Sequence, residues 1–397
     1  MNQLSDRLNS LSPSETLAMS QKSNELKAQG IDVINLSVGE PDFFTPDHIK
    51  EAAKKAIDDN FSFYSPVPGY LPLRKAIVAK LKKENGLDYT PAQIVCSNGA
   101  KQSVCNTLLC IVGPGDEVIV PAPYWVSYVE MVKLAEGKSV IINAGIEQNF
   151  KITPAQLEAA ITPKTKSIIL CSPSNPTGSV YSKEELKGLV EVLVKYPNII
   201  VIADEIYEHI NYIGKHESIA QFPEIKERVV VVNGVSKAYA MTGWRLGFVA
   251  APQWIADASN KLQGQYTSGP SSIAQKAAEA AFAGDQAPVE EMRKAFERRR
   301  NLVLNLMKGI SGFESNIPEG AFYVFPKCSS YFGKSFGDRK ISDSADLAMY
   351  LLEEGHVACV GGAAFGAPEC IRFSYATSDE NLVEAVSRIK NALEKLK

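Results

Sequence analysis

Short apolar runs alternate along this chain with longer stretches of helical composition, and turn-forming residues bound each run. Continuous apolar runs of this length are typical of strands that are buried on both faces of a sheet. Strands that alternate with helices predict a mainly parallel sheet between helices, which is an α/β fold. The predicted strands of this sheet are residues 117–120, 167–170, 199–203, 229–232 and 248–250.

Polar and aromatic side chains follow four of these predicted strands. Tyr124 and Trp125 come after the first strand, Asn175 after the second, Asp204 after the third and Lys237 after the fourth. The carboxyl ends of parallel strands meet at one edge of a sheet, and ligands of open α/β sheets bind there. The sequence therefore predicts a single site at this edge.

Lys237 lies in the run Ser-Lys-Ala-Tyr-Ala-Met-Thr-Gly-Trp-Arg-Leu-Gly, residues 236–247. A lysine amine is a useful nucleophile when its pKa is lowered or when it is held as an imine by a carbonyl cofactor. Arg245 in the same run supplies a cation for a cofactor phosphate. For an isolated Ser-Lys pair, the alternative is a lysine and an arginine in a surface loop.

The run resembles the cofactor-lysine signature of class I aminotransferases, the fold-type I enzymes that use pyridoxal 5′-phosphate (PLP). The resemblance covers nearly the whole chain, and it is strongest to bacterial aspartate aminotransferases that use a lysine to read the substrate's distal carboxylate. Further stretches that agree in the family's order are Ser-Val-Gly-Glu-Pro-Asp-Phe (37–43), Tyr-Ser-Pro-Val-Pro-Gly-Tyr (64–70), Asn-Gly-Ala-Lys-Gln (98–102), Ser-Pro-Ser-Asn-Pro-Thr-Gly (172–178), Asp-Glu-Ile-Tyr (204–207) and Ile-Arg-Phe-Ser-Tyr-Ala (371–376).

The resemblance implies a role for each residue around the cofactor ring. Lys237 forms the Schiff base, and Asp204 pairs with the pyridine nitrogen so that the ring stays electron-poor. Tyr207 and Asn175 donate to the phenolate oxygen, and Trp125 stacks on the ring. Taken alone, these residues have other interpretations, because Asp204 could cap the next helix, Asn175 could belong to a simple turn and Trp125 could pack in the core.

The resemblance also implies a phosphate site where an apolar helix begins. The first N–H groups of a helix are suited to a phosphate. The implied members are Gly99, Ala100, Lys101, Ser236, Arg245 and, reaching in from a second subunit, Tyr64.

For the substrate, the resemblance implies that Arg372 holds the α-carboxylate with its planar guanidinium. Gly39 lets the backbone approach the same carboxylate. Lys101, helped by Thr16, reads the distal carboxylate, and Trp125 and Asn175 also face the substrate. The alternatives are a surface arginine on an edge strand and a solvent-facing Lys101.

The expected reaction is PLP-dependent transamination between L-aspartate and 2-oxoglutarate, which gives oxaloacetate and L-glutamate. Lys237 is released from the cofactor and acts as general base and acid. Within the enzymes, the alternatives are a prephenate or aromatic aminotransferase and a PLP-dependent elimination. Outside them, a regulator with a non-catalytic PLP-binding domain would need a DNA-binding domain, and the resemblance begins before residue 40.

We expect three parts: an N-terminal segment (1–45) that packs with the small domain, a large PLP-binding domain (46–289) and a small C-terminal domain (290–397). A long helix over residues 290–307 leaves the large domain. The small domain is predicted to contain strands at 321–325, 358–360 and 371–375 and helices at 344–353 and 380–396.

Composition narrows the function further. A formal charge of −3 with 22% charged residues gives no basic excess for nucleic acid. Seven cysteines without Cys-x-x-Cys spacing argue for a reducing compartment. Residues 1–20 lack a continuous apolar core, so we expect no membrane contact and a cytoplasmic location. The family resemblance, through Tyr64, implies a homodimer with shared active sites. The Arg298–Arg300 run is interpreted as a solvated helix face. The sequence Gly333-Lys334-Ser335 resembles the end of a phosphate-binding P-loop, but we discount it because Cys328 stands where that motif requires its first glycine.

Overall fold

The structure is a computed structural model and describes residues 4–397. Its strands are β1 (Ile34–Asn35), β2 (Ile94–Ser97), β3 (Glu117–Ala122), β4 (Lys138–Asn143), β5 (Thr165–Cys171), β6 (Ile200–Asp204), β7 (Val229–Gly234), β8 (Gly247–Ala250), β9 (Tyr323–Val324), β10 (Ser335–Phe336), β11 (Arg339–Lys340), β12 (Val357–Ala358), β13 (Val360–Gly361) and β14 (Ile371–Ser374). Its α-helices are α1 (Asp6–Asn9), α2 (Glu15–Ala28), α3 (Asp47–Asp58), α4 (Leu71–Lys80), α5 (Ala100–Ile111), α6 (Ser127–Leu134), α7 (Pro154–Ala160), α8 (Lys183–Val194), α9 (Gln253–Tyr266), α10 (Ser272–Ala283), α11 (Ala287–Met307), α12 (Ser344–Gly355) and α13 (Asp379–Leu393).

The largest sheet has seven strands in the order β2-β8-β7-β6-β5-β3-β4. Strand β8 runs antiparallel to both of its neighbours, and the other neighbouring strands are parallel. The prediction of a mainly parallel sheet is confirmed. The sequence interpretation did not include β2 and β4. Strand β4 lies at the edge and is only partly buried, so its polar residues break the continuous apolar run that marks the central strands.

Helices cover both faces of this sheet. Along β6, Val201 and Ala203 belong to one core, whereas Ile200 and Ile202 belong to the other, as the two-residue period of a strand requires. The first core includes residues of α3, α4, α8 and α10, and the second includes residues of α5, α6 and α9. No helix within residues 4–397 is both long and apolar enough to cross a bilayer.

A separate core forms in the C-terminal part of the chain, where β13, β14 and β9 make an antiparallel sheet beside α11, α12 and α13. Met19 and Leu36 of the N-terminal segment belong to this core, and β1 pairs with β12 in parallel. Two predicted strands were too long. Only β9 forms within residues 321–325, and Cys359 separates β12 from β13 in the region predicted as one strand. The bounds of the three predicted parts remain predictions.

The interpretation of Arg298–Arg300 as a solvated face holds for Arg298, whose side chain is 63% exposed, and is wrong for Arg299 and Arg300. The Arg300 side chain is 12% exposed and donates a 3.0 Å hydrogen bond to the carbonyl oxygen of Pro318. Arg299 is 7% exposed and makes two hydrogen bonds to Asp42, of 2.7 and 2.9 Å. Its guanidinium also lies 5.0 Å from the centre of the Phe43 ring. Consecutive residues of a helix point about 100° apart, so three adjacent arginines cannot all share one solvated face. Arg299 therefore ties the loop that follows Gly39 to α11.

Candidate active site

A cavity of about 340 Å³ lies at the predicted edge of the large sheet. It is bounded by the segments that follow β3, β5, β6 and β7, by the start of α5 and by β14 of the C-terminal part. The sequence-predicted residues that line it are Thr16, Gly39, Ala100, Lys101, Trp125, Asn175, Asp204, Tyr207, Ser236, Lys237, Arg245 and Arg372.

Lys237 projects into this cavity from the turn that follows β7. Its Nζ donates a hydrogen bond of 2.5 Å to the carbonyl oxygen of Gly39 and lies 5.7 Å from the centre of the Tyr207 ring. Burial lowers the pKa of the Lys237 amine from 10.5 to about 8, since a charged ammonium is poorly solvated there. The amine can therefore be neutral, and so nucleophilic, near physiological pH.

Gly39 approaches Lys237 because it has no side chain. A Cβ atom at Gly39 would lie 2.3 Å from the hydroxyl oxygen of Tyr323, a separation that packed atoms do not adopt. A side chain at position 39 would therefore displace the Tyr323 hydroxyl or the backbone whose carbonyl accepts from Lys237.

Asp204 ends β6 at the base of the cavity and is 3% exposed. The Tyr128 hydroxyl donates a hydrogen bond of 2.6 Å to its carboxylate, and the Ile206 N–H donates one of 3.2 Å. Burial raises the pKa of the Asp204 carboxyl to about 6, although both donors counteract the rise. A cation brought against this carboxylate would stabilise its charged form. Tyr128 lies on α6, and the sequence analysis did not identify it.

Arg372 is 2% exposed, and no carboxylate of residues 4–397 forms a salt bridge with it. Its guanidinium donates a 2.9 Å hydrogen bond to the Asn175 side-chain oxygen and another to the carbonyl of Ser37. Its Nε has no hydrogen-bond partner in the described chain. A buried guanidinium without a counter-ion is costly, so the geometry suits an anionic ligand. The alternative of an ordinary surface arginine is excluded by its burial.

Tyr207 and Tyr323 connect Arg372 to the side of the cavity that holds Lys237. Their hydroxyl oxygens are 2.8 Å apart, and the Arg372 guanidinium lies 4.7 Å from the centre of the Tyr323 ring. Burial raises the pKa of Tyr207 well above its usual value, so its hydroxyl remains a donor. Tyr323 lies in a predicted strand and has no sequence signal of a role in the site, because only the fold brings it to Tyr207.

The start of α5 and Arg245 form one end of the cavity. Gly99 caps α5 with φ +86°, and a Cβ atom there would lie 2.5 Å from an Arg245 guanidinium nitrogen. Arg245 donates hydrogen bonds to the carbonyl oxygens of Thr242 (2.8 Å) and Asn98 (3.2 Å). The first N–H groups of a helix lack acceptors within the helix, so this end combines charge with directed donors.

Lys101 and Thr16 lie near the mouth of the cavity. The Lys101 Nζ is 5.0 Å from the centre of the Trp125 ring, and the Thr16 hydroxyl is 3.0 Å from the hydroxyl of Ser14. Partial burial, with a smaller contribution from Arg245, lowers the pKa of Lys101. No carboxylate in the described part of the chain forms a salt bridge with Lys101.

Two predicted site residues, Gly99 and Tyr64, are absent from the lining of the cavity. Gly99 lies directly behind it as the cap of α5 against Arg245, whereas the fold of a single chain does not bring Tyr64 to the cavity. Its side chain is 99% exposed and is absent from the lining of the cavity in a single chain. The sequence prediction assigned Tyr64 to the site of a partner subunit, and that assignment remains a prediction.

The cavity has four cationic side chains in its lining and one carboxylate, that of Asp204. Such an excess fits a ligand with several negative charges. The residues fit PLP in particular, because a lysine amine, a buried carboxylate and a helix start with a nearby arginine match its aldehyde, its ring nitrogen and its phosphate. The cations are Lys101, Lys237, Arg245 and Arg372.

Comparison with known proteins shows that this chain is similar to aminotransferases. Residues 31–389 match the family described as aminotransferase class I and II. A probable aspartate/prephenate aminotransferase from Rickettsia bellii (strain RML369-C) is 50% identical over 395 residues, covering 99% of each chain. The crystal structure of the aspartate aminotransferase from Rhizobium meliloti is similar with a TM-score of 0.96 and 43% identity over 100% of both chains. The aspartate aminotransferase from Thermus thermophilus with maleate has a TM-score of 0.93 and 40% identity, covering 99% of this chain and 100% of that chain.

The pKa of Lys237 gives a testable pH dependence for cofactor uptake. Because only the neutral amine attacks an aldehyde, the rate at which cofactor-free protein takes up PLP should rise with pH and reach its midpoint near pH 8. Stopped-flow absorbance of the bound cofactor measures this rate. Lys237→Ala is the control and should form no covalent link. A rate that is independent of pH from about 6 to 10, or a midpoint near the ordinary lysine value of 10.5, would contradict the assignment.

Proposed function

Since the chain belongs to the aminotransferases of class I and II, we propose that it holds PLP on Lys237 and transfers amino groups from acidic amino acids. L-Aspartate is the proposed donor and 2-oxoglutarate the proposed acceptor, so that oxaloacetate and L-glutamate are the products. The observation that carries this proposal is the buried Arg372, a cation with an unpartnered Nε and no carboxylate beside it in the described chain. It provides the geometry for a substrate carboxylate.

When bound, PLP withdraws electrons from the Cα of an amino acid and so makes the Cα proton removable. Asp204 would hold the ring nitrogen, and its hydrogen bond from Tyr128 would keep the carboxylate oriented. Tyr207 would donate its hydroxyl proton to the ring oxygen. The Lys237 amine would then accept the Cα proton at Nζ, for which a pKa near 8 is suited.

The acidic substrate is proposed from Lys101 and Thr16, which line the same cavity as Arg372. Arg372 would bind the α-carboxylate, and Lys101 would bind the distal carboxylate. The solved Thermus thermophilus relative was determined with maleate, which is a dicarboxylate. Both that relative and the Geobacillus stearothermophilus protein, which is 48% identical to this chain, are named aspartate aminotransferases.

Prephenate is the second candidate substrate, and the names of relatives favour it. The Rickettsia bellii protein and one from Nitrosomonas europaea, 48% identical to this chain, are both named for aspartate and prephenate. Prephenate carries two carboxylates, so the proposed pairing of Arg372 with Lys101 would suit it too. An assay with prephenate as amino acceptor and aspartate as donor tests this second activity.

We also propose a homodimer in which Tyr64 of each subunit contacts the phosphate in the other subunit's site. The aromatic side chains of Phe63 (80%), Tyr64 (99%) and Tyr266 (70%) are largely exposed in the single chain. The segment around Ser65 packs against Gly269, so these rings belong to neighbouring segments. Exposed aromatic surface is typical of interfaces between protein chains. A cytoplasmic location remains a prediction.

Substrate choice is tested by a panel of amino donors with 2-oxoglutarate as acceptor. Losing a charge-assisted hydrogen bond costs about 1.5–3 kcal/mol, so Lys101→Ser should lower kcat/KM for aspartate by roughly one to two powers of ten. Alanine and phenylalanine as donors should be nearly unaffected, because they have no distal carboxylate.

Lys133→Ser is the matched control for this panel. Lys133 pairs with Glu130 at 2.9 Å and is absent from the lining of the cavity, so its loss should leave every donor unchanged. Equal losses for acidic and neutral donors in Lys101→Ser would show that Lys101 serves the cofactor and not the distal carboxylate.

The shared site is tested by mixing two inactive or weakened subunits that carry different tags. A heterodimer of one Tyr64→Phe subunit and one Lys237→Ala subunit should contain one intact site and one doubly damaged site. Its turnover per dimer should therefore be about half that of wild type. If Tyr64 acts within its own subunit, the heterodimer will show only half the turnover of the Tyr64→Phe homodimer. A fully active monomer would also contradict the proposal.

A further inference from the structure

Three buried side chains and one partly buried side chain lie behind the segment that carries Asp204 and Tyr207, outside the cavity. Glu208 follows Tyr207 directly and is 6% exposed, and Lys80 at the end of α4 is 3% exposed. Asn233 in β7 is 3% exposed, and Asn85 lies beside the Lys80 amine. Glu208, Lys80, Asn85 and Asn233 do not line the cavity, and the proposed reaction gives them no role.

Glu208 is the centre of this cluster. Its carboxylate accepts a close hydrogen bond from the Lys80 ammonium, one of 2.9 Å from the Asn233 side chain and one of 2.8 Å from the Asn85 side chain. Burial alone would raise the pKa of the Glu208 carboxyl, but Lys80 and nearby histidines hold it well below its usual value. Glu208 is therefore a fixed anion with three directed donors.

Those three donors come from three different elements. Lys80 ends α4, Asn85 ends the π-helical turn Leu81–Asn85, and Asn233 lies in β7, the strand that leads to Lys237. The π-helical turn is uncommon, and such turns are frequent at functional sites. Here it brings Asn85 to both members of the ion pair, because Lys80 also donates to the Asn85 oxygen at 2.9 Å.

Glu205, which follows Asp204, is also held by hydrogen bonds on the side of the segment that faces Glu208 and not the cavity. Its carboxylate accepts a 2.6 Å hydrogen bond from the Ser218 hydroxyl and lies 3.2 Å from the Nε2 of His216. The segment thus presents Asp204 and Tyr207 to the cavity and its two glutamates to the opposite side.

Stability alone does not explain a buried pair such as Glu208 and Lys80. Apolar residues of similar volume are often as stabilising as a buried ion pair, because the charges lose their hydration. An ion pair with additional hydrogen bonds fixes the position and orientation of its groups, which apolar contacts do not. If the proposed function is right, the exact position of the segment that carries Asp204 and Tyr207 matters, since small displacements of a catalytic group slow a reaction greatly.

We propose that Glu208, held by Lys80, Asn85 and Asn233, is a positioning residue that fixes Tyr207 and Asp204 relative to Lys237. Glu208 acts through the backbone of the turn that it shares with Tyr207 and Asp204, and it does not contact the substrate. The inference rests on the proposed function, because Tyr207 and Asp204 need an aligned position only if they serve the cofactor.

The test uses PLP-loaded protein and the apolar double variant Lys80→Met/Glu208→Leu. With Tyr207 displaced, the ring oxygen loses a donor, so the pH midpoint of the visible cofactor spectrum should rise by about 0.5–1 pH unit. The kcat for aspartate should fall about ten- to a hundredfold. The KM should stay near that of wild type, because Arg372 and Lys101 are unchanged, and thermal unfolding should shift little.

Lys82→Met is the matched control. Lys82 lies on the same π-helical turn as Asn85, but it forms an exposed ion pair with Asp88. It should leave the spectrum, kcat and KM unchanged. If the double variant fails to fold, Glu208→Gln keeps the shape of the side chain and should show the same direction of change in the spectrum and in kcat.

A folded double variant with an unaltered spectral midpoint and unaltered kcat would overturn the positioning role, and the pair would then be structural only. In Glu208→Gln, the same absence of change would overturn it as well. Failure of the proposed function appears differently, because wild type itself would then show no visible cofactor band, and the positioning proposal would fall with it.

Discussion

The structure depends on burying a lysine amine and a carboxylate at the carboxyl ends of neighbouring parallel strands. Asp204 ends β6, and Lys237 follows β7, so the register of two paired strands sets how the two groups face the cavity. The apolar strands around them lower the local dielectric. Burial therefore moves the pKa of Lys237 down to about 8 and that of Asp204 up to about 6. Both pKa values therefore lie closer to neutral pH than those of a free lysine and a free aspartate.

Burying charged groups around the cavity costs folding free energy, which other parts of the fold must offset. Arg372 lies fully buried without a carboxylate partner among the described residues, and Arg245 and Lys101 add further positive charge to the cavity. The two cores on either face of the large sheet, with the third core of the C-terminal part, supply the apolar burial that offsets these charges. A bound anion would then relieve the charge excess, so ligand binding and stability are linked.

Much of the site could be predicted from the sequence because a buried parallel strand, and the polar residue that follows it, can both be recognised from a short stretch of sequence. Trp125, Asn175, Asp204 and Lys237 each follow a recognisable apolar run, and parallel strands bring such positions to one edge. The family resemblance added Arg372, Gly39 and Thr16, which local pattern alone would not join to that edge.

The remainder of the site depends on contacts between distant parts of the chain. Tyr128 comes from a helix to meet Asp204, and Tyr323 comes from the C-terminal part to meet Tyr207. Neither has a sequence signal, because a tyrosine in a helix or strand is usually core. The prediction of a solvated face was wrong for Arg299 and Arg300 for a related reason, since a run of three arginines does not show which of them the helix turns inward. Tyr64 is left open because its proposed partner is another chain.

The most direct test of this account is where the cofactor attaches. PLP-loaded protein is reduced with borohydride and digested, and the peptide that carries the pyridoxyl group is identified by mass spectrometry. The account predicts that the label lies on Lys237, since its amine is buried in the cavity with a lowered pKa. A label on another lysine, or no stable label on a protein that turns over aspartate, would contradict it.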